Sequence, residues 1–141
     1  MQGRFTVKTP AVLVLVLLVY FASAAFAGDR SWIAVASMGK TPPSLVSSVA
    51  AGCPYFLIFD SKGKFVEALD NPHRGASGGA GSLVVEFLSR RGATVIIASA
   101  FGRDMVGAMK AKGMNYLEFK GSAADAVGKA LCGEFTMCPI F

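Results

Sequence analysis

One short segment, Thr94–Ala98, limits the possible folds of this chain more than any other. It reads Thr-Val-Ile-Ile-Ala, an apolar and β-branched run without polar alternation. Such a run is typical of a central strand that is covered on both faces, as in the sheets of α/β proteins. The segment therefore predicts a sheet with other elements packed against both of its faces.

Five strand patterns and three helix patterns follow one another along the chain. The strand patterns cover Trp32–Ala36, Tyr55–Phe59, Phe65–Leu69, Thr94–Ala98 and Asn115–Phe119. The helix patterns cover residues 80–91, 103–112 and 122–131. The turn signal Asp60–Lys64 joins two strands into a β-hairpin, and Ser44 is a candidate cap for a short helical turn through Ala51. This order predicts one α/β domain: a mixed five-stranded sheet with a leading β-hairpin, then βαβα units, and helices on its faces.

The first 27 residues have the pattern of a secretory signal. Arg4 and Lys8 precede the uncharged run Ala11–Ala27, which ends in small residues. This arrangement predicts cleavage after Ala27, a domain over residues 28–141 and a periplasmic or secreted location without membrane attachment. The alternative is a membrane anchor through Ala11–Ala27, because the run approaches the ~20 residues that span a bilayer.

The charged residues argue against two classes of function. Without residues 1–27 the net charge falls from +5 to +3, and the basic residues form no clustered stripe of the kind that binds nucleic acid. Three aspartates, Asp60, Asp70 and Asp104, lie at the ends of different elements, whereas metal-dependent hydrolysis needs clustered carboxylates. The one G-x-S-x-G match, Gly75–Gly79, lies within a long polar loop and not at the sharp strand-to-helix turn that a nucleophile elbow requires. The sequence predicts neither a nucleic-acid partner nor an enzyme.

Three cysteines remain after the predicted signal, an odd number for an oxidising compartment. Cys132 and Cys138 enclose a five-residue loop, so a local disulfide between them is one candidate pairing. Cys53 would then be a free thiol, and the sequence leaves two interpretations open. It is either a small apolar residue in the core or a soft metal ligand.

The loop before the first predicted helix has the richest chemistry in the chain. Gly78, Gly79 and Gly81 can expose backbone N–H groups to an anion at the start of a helix. Arg74 adds a cation, and His73, the only histidine, is a candidate metal ligand. The alternative is a flexible loop with a solvated histidine, in which the glycines only permit tight turns.

The predicted topology brings three loops together. Because the carboxyl ends of parallel strands meet at one edge of a sheet, the loops Ser37–Pro43, Asp70–Gly79 and Ser99–Arg103 are expected to converge there. These loops are also the least regular parts of the chain. A binding site is therefore expected at this edge.

From Trp32 to Leu131 the chain resembles the dinitrogenase iron–molybdenum cofactor biosynthesis family. The resemblance is carried by short segments in a fixed order: Ile33–Ser37, Pro54–Asp60, Asn71-Pro72, Gly78–Gly81, Gly92–Ile97, Phe101–Arg103 and Met109–Gly113. It implies a ribonuclease H-like fold and the binding of a metal cluster without catalysis. Family members commonly carry a His-Phe-Gly-Arg stretch where this chain has Val49–Gly52. Cys53, beside that stretch, and His73 are the candidates to replace the family histidine as ligands.

Two hypotheses follow from these features. The first is an exported, non-enzymatic protein that binds a metal ion, an oxyanion or a metal–sulfur cluster of the molybdenum, iron or copper type. Cys53 and His73 would ligate the metal, while Arg74 and the amides of Gly78, Gly79 and Gly81 would hold anionic groups. The second is an interaction module that has kept the fold and lost the site. Its apolar tail, residues 133–141, would then dock on a partner protein or form a homodimer.

Overall fold

The structure, a computed structural model, describes residues 31–132. The predicted export signal over 1–27, the predicted tail over 133–141 and any disulfide to Cys138 lie outside these residues. Within them, the strands and helices follow one another in the predicted order. They are β1 Trp32–Ser37, β2 Tyr55–Phe59, β3 Phe65–Asp70, α1 Ala80–Arg90, β4 Ala93–Ala98, α2 Arg103–Ala111, β5 Asn115–Glu118 and α3 Ala123–Leu131.

The strands form one mixed sheet in the order β3-β2-β1-β4-β5. β1 pairs with β2, and β2 with β3, in antiparallel fashion, whereas β1 pairs with β4, and β4 with β5, in parallel. The apolar run of β4 lies inside the sheet, with Val95–Ala98 buried. The predicted α/β fold, with its leading hairpin and βαβα units, is confirmed.

Helices cover both faces of this sheet, and successive residues of each central strand alternate between two cores. On the face covered by α1 and α2, Ile96 packs in a cluster with Leu88 and Met109. On the opposite face, the neighbouring Ile97 packs in a second cluster with Val127 of α3. The uninterrupted apolar character of β4 is explained by these two cores, since both faces of the strand are buried.

The predicted helical turn from Ser44 to Ala51 is wrong. Residues 45–47 instead run between the carboxyl ends of β1 and β4, with isolated β-bridges at Leu45 and Val46, and bends follow at residues 48 and 50. The Ser47 N–H donates to the carbonyl of Ala36 (2.7 Å), and the Ser47 carbonyl accepts from the Ser99 N–H (3.0 Å). Backbone groups at the ends of two buried strands need hydrogen-bond partners, and this segment supplies them.

α1 and α2 touch at their first turns, where Gly81 faces Met105. A Cβ placed on Gly81 would lie 2.9 Å from both the N and the Cβ atoms of Met105. Contacts this short do not occur between real side-chain and backbone atoms. The absence of a side chain at Gly81 therefore permits the close approach of the two helices.

The helices within residues 31–132 contain 9 to 11 residues. None of them is both long enough and apolar enough to cross a membrane.

We predict that Gly81→Ala destabilises the protein by about 1–3 kcal/mol, because the new methyl group overlaps the backbone of α2. The matched control is Gly107→Ala in α2, where an added Cβ meets no atom within 4 Å. That substitution should stabilise the protein by about 0.5–1 kcal/mol through helix propensity. Urea unfolding midpoints measure both effects. Equal stability of wild type and Gly81→Ala would show that the two helices do not approach in this way.

Candidate functional site

Three loops leave the sheet at one edge. β1 and β4 are parallel, and β3 runs in the same direction because it is antiparallel to β2, which is antiparallel to β1. Their last residues, Ser37, Ala98 and Asp70, therefore lie at the same edge. The convergence expected from the sequence is found there.

The extended segment around Ser47 fills the crevice between β1 and β4, which is where ligands of open α/β sheets usually bind. The open space lies beside it, on the face covered by α1 and α2. There a groove of about 320 Å³ is lined by residues 76–81, residues 102–105 and the side chains of Val49 and Ala51. Val49 is half-exposed at this wall.

Two helices begin in this groove without a side-chain cap. The N-caps are Gly79 for α1 and Gly102 for α2, and neither residue has a side chain that could accept a hydrogen bond from the first turn. The third helix differs, because Ser122 caps it by accepting from the Asp125 N–H (3.2 Å). Uncapped N–H groups at a helix start carry partial positive charge and attract anions. Two such starts facing one groove make it suited to an anion.

Two charged side chains of α2 also line the groove. Arg103 supplies a guanidinium group, and Asp104, in the first turn, supplies a carboxylate. The guanidinium strengthens the attraction for an anion, whereas the carboxylate opposes it.

The three predicted anion-binding glycines all line this groove, but they do different things there. Gly79 has a φ of +66°, a left-handed conformation that favours glycine. Gly78 borders open space, since a Cβ there would meet nothing within 4 Å. Gly81 is buried against Met105, so its first effect is on helix packing.

Cys53 does not reach the groove. Its side chain is fully buried, and its Sγ donates to the carbonyl oxygen of Tyr55 at 3.2 Å. Burial raises the pKa of the thiol from 9.0 to about 12, so the sulfur stays protonated at neutral pH. Of the two interpretations left open by the sequence, the structure matches the core residue. No observation tests whether Cys53 ligates a metal, so that role stays a prediction.

His73 and Arg74 lie away from the groove as well. His73 packs edge-on against the ring of Phe87 (6.2 Å between ring centroids) and lines a second depression on the outer side of α1. Arg74 is exposed and is not among the groove residues. A turn in which the Ala76 N–H donates to the His73 carbonyl separates these two side chains from the glycines that follow. Cys53 thus lies in the core, while His73 lies at the outer side of α1.

Gly102 and Arg103 line the groove but were not predicted as site residues. The signal was present, because Phe101-Gly102-Arg103 places a glycine before the second helix as Gly78-Gly79-Ala80 does before the first. Across residues 31–132, no three side chains of His, Cys, Asp or Glu lie together so as to hold a metal ion.

The same fold occurs in known proteins. The profile of the dinitrogenase iron–molybdenum cofactor family matches residues 31–133. The apo form of the orange protein from Desulfovibrio gigas is 25% identical, with a TM-score of 0.71 over 77% of this chain and 93% of that one. A NifB-like protein of the DUF35 family from Thermotoga is 31% identical, with a TM-score of 0.65 over 79% and 96% of the two chains. A dinitrogenase-like protein from Methanocaldococcus jannaschii shares the fold at 14% identity, with a TM-score of 0.52 over 76% and 93%. No curated protein sequence matches the chain.

We predict an alkaline loss of stability that depends on Cys53. In the unfolded chain the thiol ionises near pH 9, whereas the folded pKa is raised to about 12. The unfolded state therefore loses its proton first, and the stability present below pH 9 falls by about 1.4 kcal/mol per pH unit between these values. The free energy of unfolding of wild type and of Cys53→Ala is measured in urea from pH 8 to 11. Because the two proteins share all other titrating groups, the difference between their free energies should show this slope. Parallel pH profiles would mean that the thiol is not buried.

Proposed function

Because the chain belongs to the dinitrogenase iron–molybdenum cofactor family, we propose that it is a small carrier whose cargo is an anionic metal–sulfur cluster or a related oxyanion. The proposed binding site is the groove between the first turns of α1 and α2. The solved relative from Desulfovibrio gigas is described in an apo form, which is consistent with a protein that takes up a ligand.

One observation carries this proposal: two helix starts without side-chain caps line the same groove. The donors there are backbone N–H groups and the Arg103 guanidinium. Such donors fit a group that brings its own sulfide or oxide ligands and a negative charge. They do not fit a bare metal cation, which prefers thiolate, imidazole or carboxylate ligands.

The proposed binding is non-covalent. The amides of α1 and α2 would hold the anionic surface, and Arg103 would neutralise part of its charge. The side chains of Val49, Ala51 and Ala76 form an apolar part of the lining, which would exclude water from one side of the cargo. A cargo held in this way is released by dissociation, without breaking a bond to the protein, as a carrier requires.

The proposed carrier would work outside the cytoplasm. The secretory pattern of residues 1–27, with small residues before Gly28, supports export. General secretion moves an unfolded chain, so the cargo would have to be acquired after transport.

The binding test uses the purified chain with tetrathiomolybdate, in the presence and absence of Cu(I). We expect the wild-type protein to retain a coloured, charge-transfer-absorbing species after desalting, with bound molybdenum by elemental analysis. Gly102→Asp should weaken binding by about tenfold or more, since a carboxylate at the N-cap occupies the amides of α2 and repels an anion. A Cβ at this position meets no atom within 4 Å, so the change is sterically tolerated.

The matched control for this test is Gly107→Ala, which lies in the same helix but not in the groove. It should bind as the wild type does. Asp104→Asn removes the opposing carboxylate and should tighten binding. A wild-type protein that retains no molybdenum, or a Gly102→Asp protein that binds equally well, contradicts the proposal.

The export test is the N-terminal sequence and mass of the protein recovered from its native cells. We expect the chain to start at Gly28 and to be found in the periplasm or the medium. A cytoplasmic protein that retains residues 1–27 would refute export, and a membrane-bound one would favour the anchor through Ala11–Ala27.

A further inference from the structure

Asn71 is a buried polar residue that lies next to the groove but not in its lining. It follows β3 directly, is 8% exposed, and belongs to the Asn71-Pro72 pair, one of the segments that carry the family resemblance. The glycine loop that follows it has little packing of its own, since residues 74–79 are all exposed.

The side-chain amide of Asn71 uses both of its polar atoms. Nδ2 donates to the carbonyl oxygens of Ala51 and Cys53, each at 2.9 Å. Oδ1 accepts from the N–H of His73 at 2.9 Å. In addition, the backbone N–H of Asn71 donates to the Pro54 carbonyl at 3.1 Å.

These hydrogen bonds lead to two different walls of the groove. Ala51, on one side, is itself part of the lining. On the other side, the His73 carbonyl accepts from the N–H of Ala76, the first residue of the wall formed by residues 76–81. The Asn71 side chain therefore reaches one wall through a single hydrogen bond to Ala51 and the other through two successive hydrogen bonds, at His73 and Ala76.

We propose that Asn71 is the positioning residue that holds these two walls at the separation the cargo needs. This inference rests on the proposed function, although Asn71 itself does not touch the cargo. An asparagine suits the role because its planar amide offers two donors and an acceptor together. Walls that are already fixed before binding give a higher affinity, because less conformational entropy of the loop is lost when the cargo binds.

Two variants separate the hydrogen bonds donated by Nδ2 from the hydrogen bond accepted by Oδ1. Asn71→Ala removes every side-chain hydrogen bond. Asn71→Ser lacks the two donors, but its hydroxyl can still accept from the N–H two residues later, as the native Oδ1 does. The control is Val127→Ala, which damages the core on the opposite face of the sheet. All proteins are compared well below their Tm, and if Asn71→Ala fails to fold, Asn71→Ser carries the test.

The first readout is hydrogen exchange in the protein without cargo. The amides followed are Ala50, which donates to the Ala100 carbonyl, and Ala76, because neither bonds to Asn71. We expect Asn71→Ala to accelerate exchange at both amides and Asn71→Ser to accelerate it mainly at Ala50. Val127→Ala should change neither relative to its global stability.

The second readout is the affinity for tetrathiomolybdate with Cu(I). Asn71→Ala should lose about tenfold in affinity, whereas Val127→Ala should stay within about twofold of wild type. Unchanged exchange at both amides in Asn71→Ala overturns the positioning role. If the wild type binds tetrathiomolybdate and Asn71→Ala binds it equally tightly, the positioning role is overturned as well. If the wild type binds no tetrathiomolybdate, the proposed function fails, and the exchange data still decide whether Asn71 holds the two walls together.

Discussion

The parallel pairing of β1 with β4 is the constraint on which the rest of this structure depends. With β3 running in the same direction, it brings the carboxyl ends of three strands to one edge of the sheet. α1 follows β3 and α2 follows β4, so both helices start at that edge. They also lie on the same face, where their first turns meet at Gly81 and Met105. The groove is thus a consequence of strand direction and one close helix contact.

The chemistry of the groove follows from what caps its helices. Glycine at both N-caps provides no side-chain acceptor for the first-turn amides, whereas Ser122 provides one in α3. The two helix starts therefore offer a partial positive charge from two directions, and Asp104 is the one carboxylate in the groove lining. Cys53, the side chain best suited to a soft metal, is kept in the core with its pKa raised by burial. An anionic cargo fits this arrangement better than a bare metal ion does.

Much of the fold could be predicted from local patterns, and the failures have physical reasons. The apolar run of β4 and the helix pattern over residues 122–131 were both recognisable because they depend on neighbours in the sequence. The segment from Ser44 to Ala51 was not, because its conformation is set by hydrogen bonds to Ala36 and Ser99, which belong to other elements. Tertiary hydrogen bonding outweighed the local capping signal there.

By itself the sequence determined the strands, the helices, their order and the glycines at the start of α1, since these depend on periodicity and on backbone freedom within a few residues. Only the tertiary structure decided which of the candidate side chains meet. It put Arg103 beside the glycines, His73 on the outer side of α1, and Cys53 in the core. The direction of a side chain depends on the packing of distant segments against it. The spacing of residues along the sequence therefore does not predict it.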